Sequence, residues 1–75
     1  MVQPDHAIAL AEQHVREAEE RVARQTSIAR RLDEAGHGWA ADEARTMLAA
    51  TRASLNMARG HLVFLRMLLD AGRDL

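Results

Sequence analysis

Four histidines, His6, His14, His37 and His61, are the side chains in this chain best suited to ligate a metal or to carry a proton near neutral pH. His6 lies two turns before His14 on a helix, and Glu17 one turn after it, so a His-rich site on one side of a helix is conceivable. A metal centre needs three or four ligands with orienting neighbours, however, and no helix carries the Glu-x-x-His pairs from which helical di-metal bundles are built. No metal site and no cofactor are therefore expected. His14 and His61 remain the candidate pair for the alternative reading, a His-based metal-binding or sensing helical bundle. The plainer account makes them polar residues beside a helix seam, or a pair that modulates association near pH 6. His37 sits between Gly36 and Gly38 and reads as a turn residue. With no cysteine, no glycine-rich phosphate loop, no Ser/His/acid elbow and no His-Glu-x-x-His, the chain is read as no enzyme.

The elements that carry these residues follow from composition. Seventy-five residues make one domain at most, 1–75, near the size below which a single core seldom suffices. Without cysteine, disulfides cannot compensate, which leaves helix-rich folding or association. Fifteen Ala, nine Leu and ten Arg with no Lys, beside one Trp, one Phe and no Tyr, are helix composition. A net charge of −1 argues against nucleic acid or an anionic membrane as partner. The longest apolar stretch, residues 61–69, is interrupted by Arg66 and falls far short of the roughly 20 residues that span a bilayer. The opening Met-Val-Gln-Pro-Asp-His has an acid and a proline where a signal peptide needs a basic residue and an apolar run, so a cytoplasmic location is expected.

Helix-breaking residues stand at only two useful places, Pro4 and the Gly36-His37-Gly38 cluster. Pro4 suits a first helical turn, and Asp5 beside it favours the positive end of the helix dipole. Gly36 suits a left-handed stop, with Arg30 and Arg31 in the turns before it. These signals predict helix one over about 4–35, a hinge at 36–38 and helix two over about 39–71. Gly60, inside the second helix, costs about 1 kcal/mol against Ala; it marks either a close approach by another helix or a tolerated surface position.

Phase then sets how the helices meet. Ile8, Ala11, Val15, Ala18, Val22, Gln25, Ala29 and Leu32 recur at alternating steps of three and four, the a/d seam of a heptad pattern. Ala41, Ala44, Leu48, Thr51, Leu55, Ala58, Leu62, Leu65 and Leu69 do the same in helix two. A three-residue hinge permits only an antiparallel return, so the fold class is all-α: an antiparallel helical hairpin, an αα-hairpin of coiled-coil type. The e positions agree. They are Asp5, Glu12, Glu19, Thr26 and Asp33 in helix one, against Arg45, Arg52, Arg59, Arg66 and Arg73 in helix two. Antiparallel packing sets e against e, predicting Asp33 with Arg45, Glu19 with Arg59, Glu12 with Arg66 and Asp5 with Arg73. The same complementarity, with few aromatics for base stacking, argues against the arginine row as a phosphate track.

A second apolar surface lies outside the seam: Met47, Met57, Val63, Phe64, Met67 and Leu68 in helix two, and Leu10 and Ile28 in helix one. Two helices offer no third face to cover it. The expected partner is another copy, two hairpins forming a homodimeric four-helix bundle with Leu10, Val63, Phe64, Met67 and Leu68 in or near the interface. Trp39 is expected to pack over the hinge and the first turn of helix two; its alternative is an exposed aromatic anchor for a partner. Gln25 and Thr51, polar in the seam, are expected to hydrogen-bond across the core or to a symmetry mate. The overall reading is a helical interaction or regulatory module.

From Ala11 through Gln25, with Leu32 and Gly36-His37 after it, the chain resembles short uncharacterised two-helix proteins of alphaproteobacteria. The likeness covers helix one and the hinge, and reaches helix two only through its Ala-Asp-Glu-Ala start and Met47-Leu48. Gly38-Trp39 stands where those proteins have a more polar turn with a capping acid or hydroxyl. The resemblance implies a two-helix fold and a bacterial background, and no activity.

Overall fold

The computed structural model describes residues 4–73, the side chains of Pro4 and Arg73 excepted. Two helices account for nearly all of it: α1, Pro4–Glu34, and α2, Gly38–Arg73. They pack against each other as an antiparallel hairpin about 59 Å long and 17 by 15 Å in section. That length matches a 36-residue helix rising ~1.5 Å per residue.

The turn is closed by backbone alone. Gly36 adopts φ 80°, the left-handed conformation expected of it. The His37 N–H donates to the Leu32 carbonyl at 2.9 Å and the Gly36 N–H to that of Asp33 at 3.1 Å, which satisfies two of the carbonyls that α1 leaves open. The His37 carbonyl then accepts the first bond of α2, from the Ala41 N–H at 2.9 Å. His37 is thus the turn residue, and it also caps α2.

Three boundaries shift from the sequence expectation. Helix one stops at Glu34 rather than 35, because Ala35 already belongs to the capping turn. Gly38 is the first residue of α2 rather than part of the hinge, and α2 continues to Arg73 rather than ending near 71.

The core is the predicted seam. Ala11, Ala18, Ala29, Ala41, Leu48, Leu55 and Leu62 are buried, and the other seam positions are half-buried. The buried positions divide by size: α1 contributes alanines, α2 mostly leucines. Small side chains on one helix let the other come close and fill the space with a branched one, the complementarity that close packing requires.

Candidate interaction surface

One flank of the seam carries the charge ribbon. Arg66 Nη2 lies 3.3 Å from Glu12 Oε2, Arg59 Nη2 3.5 Å from Glu19 Oε2, and Arg45 Nη1 3.9 Å from Asp33 Oδ1. In each pair the residue numbers add to 78, one antiparallel register held along the hairpin. Arg45 makes its shorter contact within its own helix, 2.6 Å to Asp42 Oδ1, so it bridges the two. Arg52 comes level with Thr26 instead of an acid, and the Thr26 hydroxyl donates to the Val22 carbonyl at 2.7 Å. The Asp5 with Arg73 pair lies outside the described residues, since the Arg73 side chain is not described. About half of each paired side chain remains exposed, so each contributes at most about 0.2–1 kcal/mol and serves mainly to fix register.

The seam's polar layer differs from expectation. Thr51 does not reach across to Gln25: its hydroxyl donates to the Met47 carbonyl of its own helix at 3.1 Å. That local bond is available to any helical Thr whatever lies opposite. Gln25 Oε1 is left buried without a partner.

The other flank and the back of α2 are mostly apolar, with Thr46, Ser54 and His61 as the polar exceptions at the c, f and g positions over residues 46–71. Outside the hairpin seam, Met47, Met57, Val63, Phe64, Met67 and Leu68 are all more than half exposed, Met57 the most at 76%. On α1 only Leu10 (41%) and Ile28 (50%) are comparable. Between residues 46 and 71 every arginine of α2 sits at an e position, on the ribbon, and the single acid, Asp70, at a b position. The c, f and g positions over those 26 residues carry no Asp, Glu, Lys or Arg. A continuous uncharged face therefore runs for about 39 Å along α2.

The interface expected from the sequence takes in Leu10, Val63, Phe64, Met67 and Leu68, with Trp39 as an alternative anchor, and leaves out part of this face. Met47 and Met57 extend it towards the hinge. The available signal was a second three-four series, Thr46, Ala50, Ala53, Met57, Gly60, Phe64, Met67 and Ala71, at the c and f positions. Gly60 belongs to it, and a Cβ built at Gly60 meets nothing within 4 Å. The hairpin itself gives no reason for glycine there.

Trp39 does not cover the end of the hairpin. It is 76% exposed, because α2 begins at Gly38 and turns the indole outward at an f position. A shallow depression lies nearby, lined by Glu43, Thr46 and Met47. His14 and His61 are both at g positions and exposed, as are His6 and His37. In the register of the ion pairs residue 14 comes level with 64 and residue 61 with 17, so the two histidines are not opposite one another. Glu17 accepts a hydrogen bond from Gln13 Nε2 at 2.8 Å. Among the described residues no group of three or more His, Cys, Asp or Glu is gathered as a metal site.

No described helix is long and apolar enough to cross a membrane. Comparison with known protein families, with curated proteins and with solved structures finds no match to this chain. What fold and surface define together is a two-helix antiparallel hairpin with one charged flank and one uncovered apolar face.

Proposed function

We propose that this hairpin is a non-enzymatic helical interaction module that works by self-association and protein–protein contact, two copies forming a homodimeric four-helix assembly. One observation carries the reading: the large hydrophobic side chains outside the seam are concentrated on α2 and uncovered. A contiguous apolar surface beyond a few hundred Å² is uncommon on a chain that works alone and marks an interaction site. The size of the chain supports it as well, since a seam of two helices leaves little apolar surface to bury within one copy.

Light scattering coupled to size exclusion, on the full chain from about 1 to several hundred micromolar, tests this. A mass rising from near 8.3 kDa towards twice that value with concentration is expected. A monomer mass throughout the range removes the proposal.

A further inference from the structure

Resting on the self-association reading, we infer that two copies meet through α2 alone, antiparallel, with the c and f positions of residues 46–71 as a second seam. These positions lie about 160° round the helix from the a/d seam, taking ~100° per residue. The same helix can thus pack against α1 on one side and against a second α2 on the other.

The occupant follows from size complementarity. A twofold axis between Ala58 and Arg59 sets residues whose numbers add to 117 side by side. Ala50 then faces Met67 of the other copy, Ala53 faces Phe64, Met57 faces Gly60, and Thr46 faces Ala71. Each of the three large residues in the series meets alanine or glycine, and each relation holds twice by symmetry, as an isologous interface requires. The flanking g positions follow the same order, Met47 beside Leu68 and Ser54 beside His61.

Displacing the helices by one heptad destroys this fit. Moved one way, Met57 meets Met67 while Ala53 meets Ala71; moved the other, Glu43 is placed on Met67 and Ala50 on Gly60. A parallel pair sets Phe64 on Phe64 and Gly60 on Gly60, and aligns the two helix dipoles unfavourably. At the register proposed, a methionine fills the space above the glycine that nothing in the hairpin explains. The shift that sets Met57 on Met67 also offers Gly60 a large neighbour, Phe64, but crowds the two methionines and leaves Ala53 against Ala71.

The area agrees with a modest dimer. A strip ~39 Å long and about 10–12 Å wide amounts, over both copies, to roughly 800–900 Å² in projection and more as accessible surface. This lies close to the ~1,000 Å² that separates specific interfaces from incidental contacts, the size of a weak dimer. The arginine ribbon stays outside the contact, because the e positions lie about 130° from the centre of the strip. The one charged side chain beside the contact is Asp70, at a flanking b position near the end of the strip.

Three measurements on the full chain test the inference. A spin label on Ala49→Cys, at the exposed edge of the strip, should report about 30 Å between copies, since Ala49 comes level with residue 68 of its mate at ~1.5 Å per residue. A distance near the 8–10 Å interaxial spacing plus the label arms indicates a parallel pair and overturns the arrangement, while leaving self-association intact. Phe64→Ala should weaken the dimer at least tenfold, and adding Ala53→Phe to the same chain should restore most of it by reversing the layer. Failure to restore, with the double variant still helical by circular dichroism, overturns the register. Gly60→Leu should abolish the dimer and leave the monomer's helicity unchanged or higher; a dimer of undiminished affinity overturns the close approach. A chain that is monomeric by light scattering at several hundred micromolar overturns this inference and the proposed function together.

Discussion

The outer surfaces of the two helices are built on opposite principles. Beyond its seam α1 is charged nearly all round, with Arg16, Glu17, Glu20, Arg21, Arg24, Arg30, Arg31 and Glu34 in addition to the acids of the ribbon. Over residues 46–71, α2 keeps its charges in one row of arginines and a single acid. Both helices make the same antiparallel seam, so hairpin formation alone does not account for the difference. A helix with one packed face needs one apolar stripe; a helix apolar on two sides is one with neighbours on two sides. In the proposed dimer α1 is the outer helix and α2 the inner one.

Placing charge on each surface in turn breaks the comparison most sharply. Phe64→Glu is expected to weaken self-association at least a hundredfold, because a carboxylate placed in a dry helix contact must be desolvated without a partner. Ala23→Glu, at an exposed position on the outer side of α1, is expected to leave association unchanged within a factor of two. Sedimentation equilibrium on the two variants reads both. Equal effects would erase the distinction between inner and outer helix.

The seam offers a smaller but still large test, since its alanines are a matter of fit. Ala18 is 2% exposed, and Ala18→Leu should force the helices apart at a cost of about 1–3 kcal/mol. Thermal unfolding by circular dichroism should therefore show a fall in Tm of several degrees. Ala9→Leu, on the exposed side of α1, should leave Tm nearly unchanged.

How much of this the sequence discloses depends on whether a residue's role is periodic or local. The hairpin, its register and the arginine ribbon are legible because period and charge repeat over many turns, and a repeat outweighs any single side chain. Gly36 is legible because few residues accept its φ. Trp39 is not: whether an indole folds back over a turn or points away depends on where the helix begins, and a one-residue shift at Gly38 decides it. Thr51 is likewise not legible from its seam position, since a hydroxyl chooses between a partner across the core and a carbonyl four residues behind it. The second stripe on α2 is legible in principle. It is obscured because Ala, Gly and Thr occupy five of its eight positions, so that large side chains alone show a cluster around Phe64 with Met47 and Met57 isolated from it.

Gln25 sharpens the comparison from inside the seam. Its buried Oε1 has no partner, and such a carbonyl carries a desolvation penalty of about 1–3 kcal/mol. Gln25→Leu removes the polar group and adds apolar volume, so the hairpin is expected to gain about 1 kcal/mol, or ~4–8 °C in Tm for a domain of this size. The dimer affinity should not change, because position 25 belongs to the α1–α2 seam and lies away from the outer strip of α2. A loss of stability would mean that Gln25 satisfies its oxygen in solution through a bridging water.

The smallest expected effect belongs to the ribbon that looks most specific. Arg59→Glu sets two carboxylates at the Glu19 position of the register, and adding Glu19→Arg restores opposite charge with the order reversed. Each paired side chain is about half exposed, so the single change should cost about 1 kcal/mol or less, and the double variant should recover most of it. Repeating the melts in 1 M salt, where the screening length falls to ~3 Å, should shrink the gap between single and double variants towards zero. If the gap survives salt, the pair is held by packing of the arginine stem along the seam rather than by charge.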